Sequence, residues 1–90
     1  MMARRFIVRG RVQGVGFRYF AIQAAERAGV SGTVRNLPNG TVEAIAEGMP
    51  DAVNDFRSQL EHGPSYARVS SVDEFDWPLT GRYTGFKVEY

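Results

Sequence analysis

A glycine-punctuated segment, Gln13-Gly14-Val15-Gly16-Phe17-Arg18, is the part of this chain best suited to hold an anion. Glycines let a backbone approach a ligand closely and turn successive N–H groups toward one point. Loops that lead into helices bind phosphates in this way. The apolar spacing that begins at Phe17 puts Arg18 in the first turn of a helix, where no Asp or Glu accompanies it. A cation there opposes the helix dipole by a few tenths to about 1 kcal/mol unless an anion lies between them. Read as chemistry, Gln13, Gly14, Val15, Gly16, Phe17 and Arg18 make a phosphate seat. The same residues also fit an ordinary glycine turn that carries a surface arginine. The segment is not a Walker A loop, because no Gly-Lys-Ser/Thr follows, nor a dinucleotide fingerprint, because Tyr19 stands where the third glycine belongs.

Asn36 is the second candidate. It falls at the end of a strand just before a hairpin turn, where a polar side chain projects from a rigid support. Its amide offers an acceptor for a water and donors for a phosphate oxygen, and adds no negative charge beside an anionic substrate. Asn beside a turn also commonly serves the turn itself, and the residue alone leaves that open. His62 is the single histidine and comes in the last turn of a helix, where it complements the dipole, so it is given no catalytic role. The acids Asp51, Asp55, Glu61, Asp73, Glu74 and Asp76 lack metal-ligand spacing and read as solvated faces. No serine occupies a nucleophile-elbow setting, so a catalytic triad has no support.

The elements that would carry these residues follow from periodicity. Arg4 to Val12 alternates for most of its length, with Phe6 and Val8 on one side and Arg5 and Arg9 on the other, which predicts a strand. Phe17, Phe20, Ala21, Ala24 and Ala28 follow at helical spacing, and Gly29 supplies a left-handed cap. Ser31 to Arg35 and Thr41 to Glu47 read as strands joined through Leu37-Pro38-Asn39-Gly40, a hairpin signal. Pro50 and Asp51 suit the first turn of a second helix, with Val53, Phe56 and Leu60 as its buried stripe and Gly63-Pro64 as its stop. Arg68 to Phe75 is a further strand in which Val69 and Val72 break strict parity, the mark of a bulge. Asp76 to Thr84 reads as loop, and Phe86, Val88 and Tyr90 alternate as a short last strand. The order β-α-β-β-α-β plus a last β predicts an α+β, ferredoxin-like α/β sandwich, an antiparallel sheet with two helices on one face.

Composition bounds the function. Ninety residues with 43% apolar content make one domain, 1–90, with a core of its own. The chain has no Cys, which removes disulfides, thiolate zinc sites and thiol nucleophiles together. Its start, Met1 to Arg9, holds neither a signal-peptide apolar run nor a spanning segment, so a cytoplasmic protein without membrane contact is expected. Net charge is only +1, yet residues 1–45 carry seven Arg against two acids while residues 46–90 carry four bases against eight acids. That asymmetry fits an anion-binding first half, and equally a solvated mixed surface.

Two stretches carry a family resemblance. Gly10 through Arg18 resembles the first acylphosphatase signature, and Gly32-Thr33-Val34-Arg35-Asn36-Leu37-Pro38-Asn39-Gly40-Thr41-Val42 resembles the second. The likeness continues through Glu47-Gly48 and Gly63 to Val69 to the Phe86-Lys87-Val88-Glu89-Tyr90 ending, nearly the whole chain. It implies a hydrolase that splits acyl phosphates into a carboxylate and inorganic phosphate with no metal and no cofactor. By the same resemblance, Arg18 closes the phosphate loop and Asn36 positions the attacking water. Thr33 stands where the family often has Trp, and Gly16 where some members carry a larger residue; neither change removes a reactive group. The expected partners are a small acyl phosphate and inorganic phosphate as product or inhibitor, with no nucleic acid, and the expected state is a monomer. The alternative is a catalytically silent anion- or RNA-binding module of the same fold, since Gly85 to Tyr90 echoes an aromatic RNA-recognition signature. That signature belongs on the third strand, and Thr41 to Glu47 has no aromatic.

Overall fold

Alternating side chains form β1 (Met2–Arg11), which turns through residues 12–16 into α1 (Phe17–Ala28). β2 (Ser31–Asn36) and β3 (Val42–Gly48) make a hairpin, then α2 (Pro50–His62), β4 (Arg68–Asp76) and β5 (Phe86–Val88) complete the computed structural model, which describes all 90 residues. α2 starts as its sequence predicts, with Pro50 at its first position, Asp51 in its first turn and His62 in its last. α1 ends at Gly29, whose left-handed backbone lets its N–H reach the Ala25 carbonyl at 2.9 Å.

The five strands lie in the order β4-β1-β3-β2-β5. Phe6 and Val8 of β1, Ala44 and Ala46 of β3 and Val34 of β2 project from one face into a buried cluster with Phe17, Ala21 and Ala24 of α1 and Val53, Phe56 and Leu60 of α2. Phe56 sits at its centre, its ring 6.1 Å from that of Phe6 and 5.3 Å from that of Phe86. Burying each such side chain contributes about 1.5–3 kcal/mol. The helices therefore cover one face, and the α+β ferredoxin-like sandwich expected from the element order is what forms.

Two details refine that expectation. Along β1 and β4, Arg9 pairs with Ser71 but Gly10 pairs with Val69, which leaves Ser70 as the extra residue of a bulge. That extra residue is why Val69 and Val72, of opposite parity, both pack on the core. Gly10 permits it: its φ is 122°, and a Cβ there would collide with the Arg68 carbonyl oxygen. The sheet is antiparallel, as read from the sequence, except at one edge, where β5 runs parallel to β2. β4 and β5 occupy opposite edges, and the segment between them stays at one end of the sheet. β5 thus runs opposite to β4, and that direction is the one β2 already takes.

The connecting segment is held by Glu47, a side chain buried on the face away from the helices. Its carboxylate accepts hydrogen bonds from the backbone N–H of Thr80 at 2.7 Å, the Thr80 hydroxyl at 3.1 Å and the backbone N–H of Gly81 at 3.1 Å. No helix is long and apolar enough to cross a membrane.

Candidate active site

At the end of the sheet opposite Glu47, three strand ends and a helix start converge: the C-terminal ends of β1, β2 and β5 and the N-terminus of α1. They enclose a cleft of about 370 Å³. Arg18 and Asn36 both line it, together with Gly14, Gly16 and Phe17 of the loop. Residues from two separate motifs thus meet in one concavity, and no carboxylate side chain lines it.

The loop is built to leave its donors free. Gly14 and Gly16 have φ of 73° and 76°, left-handed values between residues of ordinary backbone. A Cβ at either would meet nothing within 4 Å, so the requirement for glycine is conformational rather than spatial. Gly16, one of the two departures from the family pattern, is the left-handed residue that starts α1. Alternation of this kind turns neighbouring N–H groups toward one point. The first helical bond of α1 runs from Phe20 N to Gly16 O at 3.1 Å, and the backbone N–H groups of residues 14 to 19 donate no hydrogen bond within the protein. No side chain caps them and no acid lies in the first turn.

Arg18 shares this lack of partners. The guanidinium groups of Arg4, Arg5, Arg9, Arg35 and Arg57 are each within 4.0 Å of a carboxylate, whereas that of Arg18 has none and lies over the Tyr90 ring, 5.5 Å from its centroid. Part of the basic first half is therefore spent on the acidic second half: Arg4 pairs with Glu74 and Asp76, and Arg9 with Asp73, along the β1–β4 seam. The charge asymmetry in the sequence is in part a cross-strand pairing pattern, which leaves Arg11, Arg18 and Arg27 of the first half unpaired.

Asn36 is the last residue of β2, paired with Val42. Its Oδ1 is buried and has no hydrogen-bond partner. Asn39, not Asn36, serves the turn, its Oδ1 accepting from the Thr41 hydroxyl at 2.7 Å and the Thr41 N–H at 3.2 Å. An acceptor left without a partner costs about 1–3 kcal/mol, a cost relieved when a donor enters the cleft.

Two other loop residues point elsewhere. Gln13 sends its side-chain amide to the β2–β3 hairpin, donating to the carbonyls of Leu37 and Thr41 at 2.8 Å each. Val15 packs against the core. The cleft also has walls that residue types did not announce: Tyr19 and Ile22 of α1, and Val88 and Tyr90 at the chain's last strand. Their one signal is the Phe86, Val88, Tyr90 alternation. Its meaning depends on the parallel pairing that sets Val88 beside Val34 and carries Tyr90 to the end of β2, near Asn36. Phe86 itself is buried in the core and presents no ring to a nucleic acid base. No group of three or more His, Cys, Asp or Glu side chains is arranged to hold a metal ion.

Comparison with known proteins places the chain in a family. The acylphosphatase family model matches residues 4–88. The chain is 43% identical over 90 residues to a protein named Acylphosphatase from Mannheimia succiniciproducens, covering all of both chains. It is 49% identical over 84 residues to one of the same name from Rubrobacter xylanophilus, covering 93% of this chain and 76% of the other. The crystal structure of acylphosphatase from Bacillus subtilis superposes over the whole of both chains with a TM-score of 0.95 at 34% identity. A loop of free donors, an unpaired arginine and a partnerless asparagine at one end of a two-helix sheet thus sit in a chain that belongs to the acylphosphatase family, enzymes that hydrolyse acid anhydrides.

Proposed function

We propose that this protein hydrolyses the carboxyl-phosphate bond of small acyl phosphates to a carboxylate and inorganic phosphate by direct attack of water, using neither metal nor cofactor. The observation that supports this most is the meeting, in one cleft free of carboxylate side chains, of Arg18, Asn36 and a loop whose backbone N–H groups donate to nothing in the protein. The terminal phosphate lies against the N–H groups of residues 14 to 18 with the Arg18 guanidinium across it, and the acyl group points outward. Asn36 Oδ1 accepts a hydrogen bond from a water and holds its lone pair toward phosphorus. A bond forms from the water oxygen to phosphorus while the bond from phosphorus to the acyl oxygen breaks. The electron pair leaves with the carboxylate, and the water's protons pass to phosphate and solvent.

Phosphoryl transfer has a loose transition state, and a carboxylate leaves readily, so positioning and charge stabilisation supply most of the acceleration without a strong base. Arg18 suits the task because its planar fork can hold two phosphate oxygens at once. Inorganic phosphate occupies the same seat as product and competitive inhibitor. A cytoplasmic monomer is part of this reading, and sedimentation at micromolar concentration checks the second half.

Hydrolysis of benzoyl phosphate in ¹⁸O-water with chelator present tests the route. Turnover that puts the label in phosphate is expected. Label in benzoate would mean attack at carbon and would remove the role given to Asn36.

A further inference from the structure

We infer that Gln13 is a positioning residue for this hydrolysis: its side-chain amide braces the strand end that carries Asn36 against the phosphate loop. This deepens the hydrolase reading above and rests on it.

Gln13 immediately precedes Gly14, the first residue of the loop with free donors, and its amide nitrogen lies 2.8 Å from both the Leu37 and the Thr41 carbonyl oxygens. Both partners are carbonyls, so the group facing them must be the NH₂ end of the amide, with each of its two protons committed. The hairpin is closed from within by Leu37 N to Thr41 O at 2.9 Å and Gly40 N to Leu37 O at 3.1 Å. Each of the two carbonyls therefore accepts one hydrogen bond from the hairpin and one from Gln13, which uses both lone pairs.

Asn36 is the residue next to Leu37. Its own side chain has no partner at Oδ1 to fix it, so its place relative to the seat depends on what holds its backbone. β2 holds that backbone from one side through the pair with Val42. Gln13 is the side-chain hydrogen bond that ties the loop to the hairpin directly. The phosphorus would be held by residues 14 to 18 and the water by Asn36, so this amide sets the distance between the two reactants. It does not touch either one.

The test measures benzoyl phosphate turnover in the parent, Gln13→Met and Gln13→Glu, with folding checked by circular dichroism and inorganic phosphate titrated as competitive inhibitor. Met fills the space of Gln but donates nothing. In Gln13→Met, kcat is expected to fall roughly 10- to 100-fold, as for a misplacement of about 1 Å, while phosphate inhibition moves less than about 3-fold. The Glu variant presents an acceptor to two acceptors until it is protonated, when it regains one donated hydrogen. Its kcat relative to Gln13→Met is expected to rise as the pH falls from about 8 to about 5, toward the ordinary carboxyl range. If Met at this position prevents folding, Gln13→Asn, which keeps the amide but is one methylene short, replaces it in both comparisons.

Parental kcat in the folded Met or Asn variant overturns the brace, as does a ratio that stays flat with pH. Equal losses of kcat and phosphate affinity overturn it too, because the amide would then hold the loop rather than the distance to Asn36. These outcomes leave the hydrolase reading standing. A folded parent without turnover overturns both.

Discussion

The two ends of the sheet use similar residue types for opposite purposes. At the end where β4 passes to β5, the Glu47 carboxylate is buried and fully engaged by Thr80 and Gly81. On the face away from the helices, Glu43 is gripped by Arg5 at 2.7 Å and Arg35 at 2.8 Å. The Glu43 hydrogen bond and charge raise the Arg35 guanidinium above its ordinary value. At the other end Arg18 has no carboxylate, Asn36 Oδ1 has no donor and the N–H groups of residues 14 to 19 have no acceptor. Buried polar groups are ordinarily satisfied, and Asn36 Oδ1 is the buried side-chain atom that is not. On the function proposed above, donors, a cation and an acceptor left over together are the partners of an anion and its water.

Substitutions at each end should separate the two purposes. The largest effect is expected for Arg18→Ala, at least a 10²–10³-fold fall in kcat/KM by analogy with loss of one oxyanion donor, with little change in thermal stability. Asn36→Ala should lower kcat by roughly 100-fold, leave phosphate inhibition nearly unchanged and cost no stability, since it removes an unsatisfied acceptor. Steady-state kinetics with phosphate as inhibitor, beside a thermal melt, reads both claims, and parental kcat in folded Asn36→Ala would deny that residue its role.

At the opposite end the signs reverse. Glu47→Gln turns one acceptor into a donor facing N–H groups and should cost about 1–3 kcal/mol in a denaturant titration while the folded protein keeps most of its turnover. Smallest of all is Arg9→Ala, toward the cleft end of β1 but paired with Asp73: breaking that half-exposed pair should change stability by no more than about 1 kcal/mol and kcat not at all. An Arg9→Ala loss as large as that of Arg18→Ala would erase the distinction between paired and unpaired arginines.

Much of this was legible in the sequence because it depends on local rules. The helix stripes, Pro50 and Gly63 bounding α2, the Asn39-Gly40 turn and the glycines around Val15 each have a chemical reason that needs only near neighbours. The bulge was legible through the parity break at Val69 and Val72, although its location at Ser70 needed the register with β1. What stayed hidden depends on partners distant in the chain. The parallel edge of β5 follows from where the connecting segment crosses, and Glu47 reads as an ordinary strand acid until Thr80 and Gly81 arrive beside it. Gln13 looked like one more phosphate-loop residue, since nothing nearby reveals that its amide reaches residues 37 and 41. Charge by half-chain pointed to an anion site for a partly mistaken reason, because most of those arginines answer acids on β4 and β3.

The central claim is that the unsatisfied end of the sheet is a phosphate seat that does chemistry. Its most direct test follows benzoyl phosphate hydrolysis, with chelator present, in the parent and in Arg18→Ala shown to be folded by circular dichroism. Rapid turnover by the parent and near-complete loss in the variant is the predicted result. A folded parent that does not hydrolyse the substrate, or an Arg18→Ala variant as active as the parent, would contradict it.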